Sequence, residues 1–392
     1  MKWKPHIYLI FITILSVLLN SCVEKYWPDL GDKYDQILVV DGLITNQPES
    51  YMVSLSYSTP LRGGKKTNVQ GCEVLITDDT ENTVLLSEIN PGQYVTTNPA
   101  FQGVVGRKYK LTIHTPEDKT YESGFQELKP PVGLDTVYAK LESKPNPDDD
   151  YDLTGYQFYV SSDAAIDDTN YYFWSMEQTY EYNSNYRIRY IFDGKMNPVT
   201  FPTPFYTCWK TSTVSEIFTY STTNLTESVI HDLPLHYVTT ETKELSVKYS
   251  LLIKQLSLTK EAYNYWYNLQ KQVAGQGSLY DKQPYQIQGN MSNIVNPEET
   301  VLGYFLVAGS DEKRIFVDKP TDVQFHYSTN CGMVTDDLMR MLYSIRHKWP
   351  VFLTILFEGE GSGGVTALPS DPVCVDCREA GGDDEKPDFW ED

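Results

Sequence analysis

From Gln36 onward the chain is built of short runs in which apolar and polar residues alternate. Tyr51, Val53, Leu55 and Tyr57 share one parity, with Met52, Ser54 and Ser56 on the other. Cys72, Val74 and Ile76 alternate with Glu73, Leu75 and Thr77, and Tyr109, Leu111 and Ile113 with Lys108, Lys110 and Thr112. Successive side chains of a strand point to opposite faces, so these runs predict strands that pack on a core from one side. Turn signals separate them: Asn46-Gln47-Pro48, Gly63-Gly64, Asp78-Asp79, Pro91-Gly92 and Pro116-Glu117-Asp118. With the apolar run inside Gln36–Ile44, they predict a small β-sandwich over residues 35–128.

Lys129-Pro130-Pro131 reads as a stiff boundary, because consecutive prolines favour an extended chain without donors for a ladder. A larger β-rich region is expected over 133–392, with its clearest strands at Gly155–Ser161 and Asn170–Tyr182. Two helices interrupt it, near 259–274 and 335–348. In the first, Thr259 caps and Glu261 complements the positive helix start. Ala262, Trp266, Leu269 and Val273 lie on one face, and Gly275 and Gly277 end the helix. In the second, Thr335 is the expected cap, with Asp336 and Asp337 in the first turn. Arg346, His347 and Lys348 occupy its last turn, and Pro350 stops it. Val301–Val307 and Arg314–Val317 read as strands, and Val351–Phe357 as one apolar enough to be buried on both faces. The expected fold class is therefore mainly β: a sandwich, then a larger β-rich domain with two helices.

The N-terminus is a targeting signal. Lys2 and Lys4 form a charged start, and Ile7–Leu19 is an apolar run too short to span a bilayer comfortably. It ends in Leu19-Asn20-Ser21-Cys22, a lipobox-like sequence in which cleavage after residue 21 leaves Cys22 to carry acyl chains. Each buried CH₂ contributes roughly 0.8 kcal/mol, so several chains on one residue anchor a protein almost permanently. Residues 22–34, with Trp27, Pro28, Asp29 and Gly31, read as a tether. The chain of 392 residues has 32 Lys+Arg against 53 Asp+Glu, a formal charge of −21. Loss of residues 1–21, which hold two lysines and no acid, takes this to −23. Such a polyanion is a poor partner for nucleic acid.

Several segments together resemble the domain of unknown function 4249 family, lipoproteins of the Gram-negative outer membrane. They are Val39-Val40-Asp41-Gly42-Leu43-Ile44-Thr45-Asn46, Ser257-Leu258-Thr259-Lys260-Glu261-Ala262-Tyr263 and Leu302-Gly303-Tyr304-Phe305. The closing Cys374-Val375-Asp376-Cys377-Arg378, Gly381-Gly382 and Lys386-Pro387-Asp388-Phe389-Trp390 are the most specific of these. The resemblance implies an immunoglobulin-like or transthyretin-like N-terminal sandwich and partnership with a TonB-dependent outer-membrane transporter. It carries over no catalytic residues.

Six cysteines suit an oxidising envelope. Cys22 is taken by lipid, and Cys72 shares the parity of Val74 and Ile76, as expected of an inert core thiol. Cys208, Cys331, Cys374 and Cys377 are the disulfide candidates, with Cys331 expected to join Cys374 or Cys377 and fasten the tail. A loop of about 45 residues closed in this way is worth about 3–4 kcal/mol in chain-entropy terms. Metal or redox use of Cys374 and Cys377 is the alternative, but there is no second C-x₂-C and no helix behind the pair.

Other constellations favour plain readings. Asn146, Asp148, Asp150 and Asp152 alternate as calcium ligands do, but without the glycine register or closing Glu of such a loop. His231 and His236 flank a proline and are expected in a surface loop. Gly359, Gly361, Gly363 and Gly364 follow a strand but lack the Lys-Ser/Thr of a phosphate loop. No metal and no cofactor is expected. Residues 171–190 are rich in rings. Tyr180, Tyr182, Tyr186 and Tyr190 share a parity along an expected hairpin around Asn183-Ser184-Asn185 and form the candidate surface for a glycan or peptide. Tyr171, Phe173 and Trp174 are expected in the core, and Tyr263 and Tyr267 beside the helix stripe.

The reading that follows is a lipid-anchored, non-enzymatic accessory component of an outer-membrane, TonB-dependent uptake or surface complex. A structural adhesion lipoprotein without small ligand, or a hydrolase whose acid–base pair the sequence does not reveal, are the alternatives.

Overall fold

The alternation at Tyr51, Val53 and Leu55 is realised in the strand Met52–Tyr57, and those three side chains are buried. The same holds for Val74 and Ile76 in Glu73–Asp78 and for Tyr109, Leu111 and Ile113 in Lys108–His114. A computed structural model describes residues 36–59, 66–98, 101–163, 171–274, 286–327, 329–356 and 364–391. The signal segment, Cys22, the tether, Gly63-Gly64 and Gly359, Gly361 and Gly363 lie outside these. Among the described residues the fold is mainly β with two α-helices, as the sequence patterning predicts.

The first unit consists of two four-stranded halves. One runs in the order Met291–Asn293, Thr120–Ser123, Lys108–His114 and Glu73–Asp78. The other runs Gln93–Thr96, Met52–Tyr57, Leu38–Ile44 and Val301–Val307. The strand Thr83–Asn90 pairs with both and carries the hydrogen-bonded path from one half to the other. Both halves feed one core, with Val74, Leu111, Ile113 and Tyr121 from the first and Val40, Val53, Tyr94 and Phe305 from the second. Pairing is antiparallel except between Leu38–Ile44 and Val301–Val307, which run parallel. Residues 35–128 alone therefore do not complete the sandwich: an edge strand on each half comes from residues 291–307. Local periodicity could not reveal this, because a strand's parity says which face is buried and nothing about which sheet receives it.

The second unit packs two sheets on one core. Leu134–Lys144, Leu153–Ser162 and Ile230–Thr239 form one. Thr207–Thr213, Tyr171–Asn183, Lys248–Ser257 and Gly309–Asp318 form the other, with Phe218–Ser221 alongside Tyr171–Asn183. Phe158, Val160, Trp174, Met176, Tyr249 and Ile253 meet between them. Buried Trp174 donates its indole N–H to Gln255 Oε1 at 3.0 Å, and Gln255 Nε2 donates to Val132 O at 2.9 Å, so these interior polar groups are satisfied.

The joint between the units is stiff for two reasons. Val301–Val307 in the first continues through Ala308 into Gly309–Asp318 in the second, with Ala308 N–H donating to Ile44 O at 3.0 Å. The Lys129-Pro130-Pro131 linker crosses this point closely: a Cβ on Gly309 would stand 2.2 Å from Lys129 O and 2.5 Å from Pro131 N. Only glycine admits that approach.

The first helix, α1 (Lys260–Ala274), begins as expected, with Thr259 Oγ1 accepting from Ala262 N–H at 3.3 Å. Ala262 is buried and Trp266 packs on Phe173, but Val273 is exposed, so the predicted inner face holds only over the first turns. The second helix is shorter than predicted. α2 spans Leu338–Ser344, followed by a 3₁₀ turn at Arg346–Lys348. Asp337, in the left-handed region at φ 49°, occupies the N-cap position in place of Thr335. α2 lies on a small sheet ordered Met196–Pro198, Tyr190–Phe192, Val351–Leu356, Val365–Pro369 and Met333–Val334. In Val351–Leu356 only Leu353 and Thr354 are fully buried, so this strand is not covered on both faces. Among the described residues no helix is long and apolar enough to cross a membrane.

Candidate functional site

The ring-rich stretch is structural rather than a free surface. Strand Tyr171–Asn183 pairs with Thr207–Thr213, and the chain then leaves the sheet at Asn183-Ser184-Asn185, so no hairpin presents four tyrosines together. Tyr182 is buried and donates its hydroxyl to Cys377 O at 2.6 Å. Tyr180 is half-buried beside it, and burial pushes its hydroxyl up to about 12. Tyr186 gives its backbone N–H to Cys374 O at 2.9 Å, while Tyr190 lies in the small sheet against α2. Parity failed here because it assumed one continuous ladder. Trp174 fills the core as expected, whereas Tyr171 and Phe173 pack on Tyr263 and Trp266 of α1. Tyr263 in turn stacks on Tyr267, with ring centroids 5.5 Å apart.

These tyrosines form the seat of the C-terminal tail. Cys331 bonds to Cys374, as favoured from the sequence, and Cys208 bonds to Cys377. Trp209 and Asp383 exchange two backbone hydrogen bonds of 2.8 Å, and Trp390 is buried with its ring against Trp209 and Phe316. Arg378 is fixed by Asp376 at 2.9 Å and stacks over Phe205. Cys72 is a half-buried free thiol, and burial raises its pKa, which keeps it in the unreactive thiol form.

The remaining candidates stand apart from one another. Asn146, Asp148, Asp150 and Asp152 lie in a loop at the edge of the second unit, where Asn146 Oδ1 accepts from Asp148 N–H at 3.0 Å. Among the described residues no group of three or more His, Cys, Asp or Glu is placed to hold a metal ion. His231 and His236 sit in the strand Ile230–Thr239 and not in a loop. His236 is buried with Nδ1 3.4 Å from Glu216, and its hydrogen bond lowers the Glu216 pKa.

A cleft that the sequence did not single out lies between α1 and the rim of the first unit. It has a volume of about 510 Å³. The helix contributes Glu261, Asn264, Tyr265 and Asn268, which recur at helical spacing and share one face. Residues 286–290 form the facing wall, with Gln286, Gln288 and Asn290. This segment lies hard on the strand Val301–Val307: a Cβ on Gly289 would fall 1.7 Å from Gly303 O. Tyr304 is the buried floor, its ring 4.7 Å from that of Tyr265, and its hydroxyl faces Gln126 Oε1 at 3.4 Å. Burial first, then Glu261 and Tyr265, pushes the Tyr304 hydroxyl up to about 12, so it stays protonated across neutral pH. The side-chain amides of Asn264, Asn268, Gln286 and Gln288 make no hydrogen bonds among the described residues. Among the described lining residues Glu261 is the only carboxylate. The cleft thus offers neutral donors, acceptors and ring surface. Beyond the lining, Asp41 pairs with Tyr304 across the ladder, and its charge raises the Tyr265 pKa after burial does. A sequence signal existed in the Glu261, Asn264, Asn268 spacing, but the facing wall comes from a segment joined to it only by tertiary structure.

A family model described as domain of unknown function, DUF4249, matches residues 23–314. That stretch includes the segments at 39–46, 257–263 and 302–305 and ends before the disulfide-bound tail. No curated protein gives a match. With most of its length covered by that family model, including the first unit, most of the second and the helix beside the cleft, the chain belongs to the DUF4249 family.

Proposed function

We propose that this protein is a lipid-anchored, non-enzymatic accessory subunit of an outer-membrane, TonB-dependent uptake complex. Acyl chains on Cys22 hold it at the bilayer, the first unit acts as spacer or docking module, and the cleft beside α1 holds the ligand for delivery. The observation that carries the reading is the chemistry of that cleft. Side-chain amides that make no hydrogen bond among the described residues, and two tyrosine rings, surround Glu261, the one carboxylate of the described lining, an arrangement suited to reversible holding of a ligand. The stiff joint at Gly309 adds support, because it keeps cleft and anchor-bearing unit in one fixed relation.

The test is co-purification of the acylated protein from membranes solubilised in mild detergent. A transporter of β-barrel type is expected to emerge with it in constant ratio. Emergence of the lipoprotein alone under gentle conditions overturns the reading.

A further inference from the structure

We propose that the cleft between α1 and the first unit is a binding site for an uncharged oligosaccharide, which rests on the ligand-holding reading above and names the ligand class. A sugar hydroxyl both donates and accepts, and so does a side-chain amide. Asn264 and Asn268, one turn apart on α1, face Gln286 and Gln288 across the cleft, so hydroxyls on two edges of a sugar ring meet matching groups. Tyr265 and Tyr304 supply ring surface for the apolar C–H face of a pyranose. Tyr304 adds a protonated hydroxyl beside Gln126.

Charge excludes other classes. An anionic ligand would meet Glu261 inside the cleft and a chain of formal charge −21 around it, with no Lys or Arg among the described lining residues. A cationic ligand would find one carboxylate, Glu261, among the described lining residues. An extended peptide that binds by strand addition needs an open sheet edge. Here the adjoining edge is already occupied: the Asn290 side chain takes both the N–H and the C=O of Phe305.

The experiment uses the full acylated chain in an amine-oxide detergent, which carries no sugar. Isothermal titration is run with maltohexaose, cellohexaose, xylohexaose and mannohexaose, with hexagalacturonate, and with an uncharged hexapeptide of Gly, Ser and Ala. At least one uncharged hexasaccharide is expected to bind and hexagalacturonate is not. The double variant Asn264→Ala, Asn268→Ala is expected to weaken that binding at least tenfold, since two hydrogen bonds are lost. Alanine is the better helix former, so the variant keeps α1 and its thermal midpoint serves as folding control. Failure of all four uncharged sugars to bind overturns the proposal, as does binding that the double variant leaves unchanged. Binding of the hexapeptide alone, lost in the double variant, overturns the saccharide assignment and leaves the ligand-holding reading intact.

Discussion

The side chain of Asn290 hydrogen-bonds to the backbone of Phe305 in both directions. Its Nδ2 donates to Phe305 O at 2.8 Å and its Oδ1 accepts from Phe305 N–H at 2.9 Å. The pair imitates one rung of a strand ladder. It bridges the two terminal strands of the path, Met291–Asn293 and Val301–Val307, and so closes the side of the first unit opposite Thr83–Asn90.

Replacing Asn290 by alanine leaves a buried N–H and C=O without partners. The expected loss is about 2–3 kcal/mol, read as a lower urea midpoint at unchanged slope. A variant as stable as the parent would mean that the closure contributes nothing.

Gly309 admits the linker only because it has no side chain. Gly309→Ala places a methyl group on Lys129 O and Pro131 N, backbone atoms that cannot move independently. A loss of at least about 3 kcal/mol is expected, with poor recovery of folded protein. Thermal unfolding of Gly309→Ala beside Gly124→Ala, whose site meets only Gln126 Nε2 at 3.8 Å and has no positive φ, separates the clash from a general glycine effect.

The two disulfides close loops of 43 and 169 residues in sequence separation. Chain-entropy arguments give about 4 and about 5 kcal/mol as upper figures. Non-reducing peptide mapping should return Cys331–Cys374 and Cys208–Cys377. Double serine replacement of either pair should lower the denaturation midpoint and expose the tail beyond residue 364 to protease. A Cys331–Cys377 peptide would contradict the seating of the tail.

Asp78 anchors the turn between Glu73–Asp78 and Thr83–Asn90. Its carboxylate accepts from the Asn82 side chain and backbone and from Thr80, and these bonds, led by Asn82, hold its pKa well below the usual range. A pKa lowered in the folded state gives stability that is present above the unfolded value, near 4, and is lost as the pH falls below it. Asp78→Ala should therefore reduce stability at pH 7 and flatten the fall between about pH 4 and 2, measured by urea titration at each pH. An unchanged slope would remove Asp78 as a source of acid sensitivity.

On the proposed reading Cys22 carries the acyl chains. The parent is then expected to sediment with membranes after cell breakage, and Cys22→Ser to appear in the soluble envelope fraction. Continued sedimentation would show that another feature anchors the chain.

What the sequence settled depends on near neighbours, although the cap and length of α2 and the outer turns of α1 escaped it. Alternation placed Tyr51, Val53, Leu55, Val74, Ile76, Leu111 and Ile113 inside, because side-chain direction in a strand follows from residue number alone. Thr259 announced the start of α1 because a cap is a contact three residues long. The family followed from short segments strung along the same chain. Tertiary structure decided what depends on partners distant in sequence. It gave Met291–Asn293 and Val301–Val307 to the first unit, since a strand's hydrogen bonds do not specify the sheet that takes them. It turned Tyr182 from a candidate ligand contact into the seat of Cys377, and so matched Cys377 to Cys208 and left Cys374 for Cys331. It also assembled the cleft, whose two walls, near 264 and 288, meet only because both pack on Tyr304 and its strand.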